Sequence, residues 1–207
     1  MSAVARASLT TALILLAFTV AGTALLAYTF SATKDTIAKS EEREKRVLIG
    51  QTLPREIYDN DLLADKISLP PDPLLGSEQP SIAYRARKGG QPAAVVLEVT
   101  APDGYSGKIR MLVAIRFDGT VTGVRVVAHS ETPGLGDYID IAKSNWIRVF
   151  EGKSLTDPPE RAWKLKKDDG SFDYMAGATI TPRAVVKAVA RALRFYAEQQ
   201  DNLFQLR

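Results

Sequence analysis

The sequence contains no cysteine and a single histidine, His129. The lack of thiols excludes disulfides, thiolate-ligated iron–sulfur clusters, cysteine nucleophiles and Cys/His zinc sites. Redox chemistry would therefore need an organic cofactor, or a metal held by oxygen ligands and one imidazole. The net charge is only +3 and no basic run with interleaved aromatics occurs, so nucleic-acid binding is excluded too. A chain of 207 residues suggests one domain with appendages, or two small domains.

Charge is also missing from the N-terminal region, where no residue between Ala7 and Thr33 is ionisable at neutral pH. About 20 apolar residues suffice to cross the hydrocarbon core as a helix, so residues 1–33 are predicted to form a membrane anchor. A cleaved signal peptide is the alternative, but its apolar core is shorter and "TFSAT" is a poor cleavage site. Counting basic flanking residues places the large domain in the cytoplasm, yet large domains also translocate past such flanks. Charge alone leaves the orientation open.

The rest of the chain divides into a stalk and connector, residues 34–80, and a domain, residues 81–207. Four strand-like runs joined by short turns predict an antiparallel meander: "SIAYRARK", "AAVVLEVTA", "KIRMLVAIRF" and "VTGVRVVAH". "YIDIAKSNWIRVF" is predicted to be helical, "RAWKLKKDD" to be a last strand, and "PRAVVKAVARALRFYAEQQ" to be an amphipathic helix. The predicted class is α+β, an antiparallel sheet packed by helices, with one N-terminal transmembrane helix.

The stretch "FDYMAGATITPRA" stands just before the last helix. Thr181 followed by Pro182 has the form of an N-cap and a first helical residue. Thr179 would then lie where the free N–H groups of the helix favour an anion, especially a phosphate. Gly177 permits a tight turn or a close ligand, and Ala178 adds little bulk. A simple turn and cap explain the same residues without a ligand, and on these residues alone that interpretation is favoured.

Three separated segments, "AGATITPRAVV", "APDGYSGKIRMLV" and "HSETPGLGDYI", resemble the FMN-binding domain of the G subunit of Rnf (Rsx) electron-transport complexes. The C subunit of the sodium-pumping NADH:quinone reductase shares that domain. Asp173, Gly177, Ala178 and Thr179 match the family's attachment motif, whereas Ala176 stands where Ser or Thr is common. With the N-terminal helix and the length, the resemblance covers nearly the whole chain.

The resemblance implies that FMN is bound covalently, through a phosphoester to Thr179. A separate flavin transferase would make this bond and read the segment that begins at Asp173; a solvated loop carboxylate is the alternative role for Asp173. The other residues implied to contact the cofactor are Gly177, Ala178, Thr181, Glu131, Thr132, Gly134 and Leu135. For the loop from Thr132 to Gly136, a structural turn is the alternative. Tyr105 and Trp163 could stack on the flavin ring, but the favoured interpretation is that both are core aromatics. His129 is interpreted as a structural residue.

The function implied is that of a membrane-anchored flavin carrier in a ferredoxin- and NAD-linked, ion-coupled electron-transport chain. The carrier would be a redox subunit of an ion-translocating oxidoreductase and not an enzyme on its own. No catalytic or metal-binding residue is implied. Its partners would be the other membrane subunits of the complex and, during maturation, the transferase. The family places the soluble domain in the periplasm, anchored in the bacterial inner membrane by a single pass. Two other hypotheses stay open: a non-redox structural or extracytoplasmic binding subunit whose Gly-Ala-Thr turn is unmodified, and a free-standing periplasmic flavoprotein reductase.

Overall fold

The computed structural model describes residues 3–205 and divides the chain into two compact units, residues 1–44 and 45–207. Helix α1 (Ala3–Thr52) forms the described part of the first unit, and its last residues, 45–52, belong to the second unit. Within it, the span Ala5–Ile37 is exposed throughout and contains an 18-residue window with a mean hydropathy of 2.1. In the described part of the chain this is the one helix long and apolar enough to cross a membrane. The N-terminal helix expected from the sequence is therefore present.

The second unit is built on one antiparallel sheet whose five strands follow chain order. The strands are β1 (Lys66–Leu69), β2 (Ser81–Lys88), β3 (Gln91–Ala101), β4 (Ile109–Arg116) and β5 (Val121–Ala128). The predicted meander of four strands corresponds to β2–β5 and is confirmed. Strand β1 was not predicted; it is a four-residue edge strand that pairs only with β2 and lies within the proline-rich connector.

Helix α2 (Ile180–Gln205) covers one face of the sheet, as its apolar periodicity predicts. Leu97 and Val99 of β3 point to this face and join the same buried cluster as Val185 and Val189 of α2. All four are at most 2% exposed. Full burial of such a side chain contributes roughly 1.5–3 kcal/mol, so this contact fixes the position of α2 on the sheet.

The opposite face of the sheet is covered by the end of α1 and by the connector. Val96 and Leu112 point to this face and belong to one cluster with Ile49, Leu53 and Tyr58. The sheet is thus buried on both sides within the second unit. This explains why its central strands are apolar along nearly their whole length.

The chain between β5 and α2 forms short 3₁₀ turns, at Asp137–Ile139, Asn145–Phe150, Glu160–Ala162 and Lys166–Asp168; a further one is Arg55–Ile57. The helix predicted for residues 138–150 is present only as two of these turns. The strand predicted for "RAWKLKKDD" is wrong. Trp163 and Leu165 are buried as its alternation indicates, but the backbone bonds are local, such as Asp168 N–H to the Leu165 carbonyl at 2.8 Å. Only an isolated bridge between Leu165 and Phe172 resembles strand pairing.

Candidate functional site

A buried carboxyl group joins two loops and the start of α2, three segments that are distant in sequence. Glu131, between β5 and the first 3₁₀ turn that follows it, is 3% exposed. One carboxyl oxygen accepts a hydrogen bond from the Ser106 amide at 3.0 Å, and the other accepts one from the Thr181 hydroxyl. A Cβ added to Gly136 would lie 2.9 Å from the Thr181 hydroxyl oxygen, so only glycine permits this approach. Glu131 therefore holds the 104–107 loop, its own loop and the start of α2 together.

A second set of contacts fixes the segment before α2. The Tyr138 hydroxyl accepts a hydrogen bond from the Met175 amide at 3.2 Å and lies 3.5 Å from the Ala178 carbonyl. Burial raises the pKa of Tyr138, and the hydrogen bond from the Met175 amide offsets part of this rise. The Trp146 indole N–H donates to the Asp173 carbonyl at 2.8 Å, and the Trp146 ring packs edge-on against Tyr138. The backbone from Asp173 to Ala178 is thus anchored at three points.

Thr179 follows this anchored segment and stands at the start of α2. Its carbonyl accepts from the Arg183 amide at 3.3 Å, the first bond of the helix. Its side chain is half-buried, and its hydroxyl makes no hydrogen bond to any residue among 3–205. Gly177, two residues earlier, has a φ of 88° and open space where a Cβ would be. The turn is therefore glycine-specific and leaves the approach to Thr179 clear.

Exposed apolar side chains are concentrated on the same segments. In residues 45–205 the large exposed hydrophobic side chains are Val47, Tyr105, Phe117, Leu135, Tyr174, Met175 and Ile180. Five of these seven lie on the loops joined by Glu131 and Tyr138 or at the start of α2. Exposed apolar side chains that share segments in this way are a candidate binding surface.

Comparison with known proteins matches both parts of the chain. The model of the FMN-binding domain matches residues 104–194, and that of the RnfG N-terminal region matches residues 1–51. The G subunit of the ion-translocating oxidoreductase complex of Pseudomonas aeruginosa is 46% identical over 202 residues, 98% of this chain and 94% of the relative. The corresponding protein of Vibrio cholerae is 44% identical over 191 residues, 92% of this chain and 91% of the relative.

This chain belongs to the RnfG family. The resemblance inferred from three short segments is thereby confirmed, and all three lie within the matched regions or overlap them.

The structure of this RnfG protein corrects the roles predicted for several residues. Helix α2 begins at Ile180, so Thr181 lies inside its first turn, and the predicted N-cap role of Thr181 is wrong. Its hydroxyl is directed to Glu131 instead. The Glu131 carboxyl group is likewise turned inward, to the Ser106 amide and the Thr181 hydroxyl, and contact of Glu131 or Thr181 with FMN stays a prediction. Tyr105 is 67% exposed and is not a core aromatic, whereas Trp163 is 6% exposed and is one.

The remaining predicted residues lie at the surface of the site. Thr132 is half-buried, and Gly134 and Leu135 are exposed at the tip of their loop. Asp173 is exposed and forms an ion pair with Lys166, with 2.6 Å between its Oδ1 and the ammonium nitrogen. His129 is half-buried and accepts a hydrogen bond at Nδ1 from the Glu131 amide at 3.1 Å, which agrees with a structural role.

Two residues that shape the site carry no local signal in the sequence. Tyr138 was included in a helical pattern, and its hydroxyl contact lies 40 positions away along the chain. Ser106 contributes only its backbone amide. Roles of this kind depend on the position of a residue in the folded structure, which cannot be inferred from the residue type alone.

Proposed function

We propose that this chain is the membrane-anchored FMN subunit of an Rnf-type complex, with FMN attached to Thr179 through a phosphoester. It would relay electrons in a ferredoxin- and NAD-linked, ion-coupled chain and not act as an enzyme alone. The observation that carries the proposal is the Thr179 hydroxyl, which has no protein partner among residues 3–205 and stands at a helix start beside exposed apolar side chains.

The start of α2 suits a phosphate on Thr179. Because the Thr179 carbonyl accepts the first helical bond from Arg183, the amides of Ile180 and Thr181 have no acceptor within the helix. They contribute the partial positive charge of the helix N-terminus, which stabilises a nearby anion by about 0.3–1 kcal/mol at an exposed site. A phosphodiester carries one negative charge, so the helix end and the modification are complementary.

The surrounding side chains suit a flat, largely apolar ring. Leu135, Tyr174 and Met175 are exposed on segments that Glu131 and Tyr138 hold in place. They provide contact area, and Gly134 at the loop tip permits close backbone approach. Flavin, when bound, supplies one-electron transfer; the chain's own residues orient it, limit water access and set nearby dipoles.

Attachment by a flavin transferase is part of the proposal. The Asp173 carboxylate is exposed and makes only a surface ion pair among the described residues, so an enzyme that binds this segment can reach it. We further propose that Ala5–Ile37 anchors the chain in the inner membrane and that the soluble domain lies in the periplasm. The other membrane subunits of the complex are its partners there. Residues 1–33, 34–80 and 81–207 remain the proposed anchor, connector and FMN domain.

Co-expression with the transferase tests the attachment. The wild-type chain should give a flavin-fluorescent band on a denaturing gel, and its intact mass should rise by one FMN less one water. Thr179→Val should be dark. Thr120→Val is the matched control, because Thr120 is also half-buried with no hydrogen-bonded hydroxyl among the described residues, but lies in the β4–β5 turn.

Two results would contradict the proposal. A dark wild-type band supports the unmodified structural or binding subunit, and a fluorescent Thr179→Val band shows that another residue is the acceptor. The free-standing reductase is tested by purification in mild detergent. Co-isolation with several hydrophobic subunits excludes it, whereas isolation of a flavin-loaded single chain supports it.

A further inference from the structure

A concave site separate from the one described above lies between α2 and the 3₁₀ turn Glu160–Ala162. Its volume is about 460 Å³, within the range of small-molecule pockets. The charged residues in its wall are five cations and one acid: Arg161, Lys164, Lys187, Arg191, Arg194 and Glu160. The wall charge is therefore strongly positive, whereas the whole chain carries only +3.

Arg191 lies in this wall with an unsatisfied guanidinium. Its Nε and one terminal nitrogen are buried and make no hydrogen bond. That terminal nitrogen lies beside the backbone at Gly76, where an added Cβ would be only 3.3 Å away. Buried polar groups in native proteins are nearly always hydrogen-bonded, and an unpaired buried charge is costly. The other terminal nitrogen is not buried and also makes no hydrogen bond among the described residues, so it is the part of the guanidinium that a ligand in the pocket can reach.

The acids near the pocket do not neutralise it. Glu160 bonds to Arg194, and Asp103 bonds to Lys187 at 2.8 Å. Burial acts to raise the pKa of Asp103, but the hydrogen bond and charge of Lys187, with the more distant charge of Arg191, hold it below its usual range. Among the described residues, the side chains of Arg161, Lys164 and Arg191 form no ion pair or hydrogen bond. Three cations thus remain available.

The pocket is separate from the proposed FMN attachment. Arg191 follows Thr179 by twelve residues, which corresponds to about 18 Å along the axis of α2. A phosphate esterified to Thr179 therefore cannot be the acceptor that Arg191 lacks. The pocket and the attachment site share only the helix.

We propose that this pocket binds a small anion bearing phosphate groups. The terminal nitrogen of Arg191 that is not buried would donate an N–H to a phosphate oxygen, a charge-assisted hydrogen bond of the kind with which arginine binds oxyanions. Lys164 and Arg161 would neutralise further charge at the mouth. A concave pocket of this volume suits a small molecule or a lipid headgroup better than a protein surface.

The test uses the full chain in neutral detergent, produced without the flavin transferase so that the result does not depend on FMN. Inorganic pyrophosphate is titrated calorimetrically at constant ionic strength. Dihexanoylphosphatidylglycerol, compared with dihexanoylphosphatidylcholine, distinguishes a lipid headgroup from a free phosphate. Arg191→Gln should weaken binding about tenfold or more, the effect of losing a charge-assisted hydrogen bond. Lys164→Gln, at an exposed position, should weaken it without affecting folding.

Arg183→Gln is the matched control. Arg183 lies on the same helix and is half-exposed, but it pairs with Asp168 outside the pocket. Binding of either phosphate probe that depends on Arg191 and not on Arg183 supports the proposal. Equal losses in the two variants, or no binding of either probe, overturn it. Binding of a glutamate-rich peptide in place of both probes also overturns it and assigns the pocket to an acidic protein partner.

Discussion

Replacing Glu131 by alanine is expected to loosen the candidate site from within. The substitution removes the acceptors for the Ser106 amide and the Thr181 hydroxyl. Glu131 is only 3% exposed, so water does not readily replace these acceptors. A hydrogen bond to a charged group contributes about 1.5–3 kcal/mol, so two lost bonds correspond to about 3–6 kcal/mol. Glu131→Gln keeps the shape and can accept only on its single oxygen, so about 1–2 kcal/mol is expected.

Urea denaturation followed by tryptophan fluorescence measures this effect. Both tryptophans, Trp146 and Trp163, lie in residues 45–207, so the signal reports that unit and not the membrane helix. With a slope of about 1–3 kcal/mol per molar urea, the alanine variant should lower the midpoint by more than about 1 M. The site should also accept less flavin, because the start of α2 is no longer held.

An exposed glutamate provides the control. Glu198 lies on the outer face of α2, and its substitution by alanine should change stability by no more than about 0.5 kcal/mol. If Glu131→Ala were as stable as Glu198→Ala, the assignment of Glu131 as the residue joining three segments would be refuted.

Three further changes test other parts of the site. Tyr138→Phe leaves the Met175 amide without its acceptor and should cost about 1–2 kcal/mol in the same urea assay, while Phe still fills the core. Gly177→Ala meets no steric contact but forces a φ of 88° on alanine, so thermal melting should show a loss of about 1 kcal/mol. Asp103 has a lowered pKa in the folded chain, so its contribution is present above its ordinary pKa of 3.8 and is lost as pH falls through the folded pKa. Asp103→Asn should therefore flatten the acid limb of a stability–pH profile; an unchanged limb would contradict the Lys187 pairing.

Much of the fold follows from local pattern. Strands β2–β5 alternate or run apolar between clear turns, and α2 has a strong 3.6-residue period, so these elements were predicted. Strand β1 was missed because four residues between prolines carry too little pattern. Residues 138–150, predicted to be helical, form 3₁₀ turns instead of one helix. Residues 161–169 were mistaken for a strand because Trp163 and Leu165 show the burial pattern of a strand while their backbone forms local turns.

The candidate site was predicted in part. Gly177 and Thr179 are recognisable because glycine before a helix start has a local physical meaning. The roles of Glu131 and Thr181 were not, since a buried carboxyl that bonds to a residue 50 positions away looks in sequence like any loop glutamate. The contacts that decide such roles are long-range, and only the three-dimensional structure contains them.

The hydrogen bonds that shape the site also constrain when it forms during folding. They join residues 25, 37 and 50 positions apart. Contacts of this separation require the loss of loop-closure entropy before they add stability, so we expect them to form late, after the sheet and α2 have met. Thr179 consequently acquires its final geometry only in a chain that has nearly completed folding. An unfinished or misfolded domain presents the same sequence without this geometry, so the proposed attachment of FMN to Thr179 would mark chains that have folded.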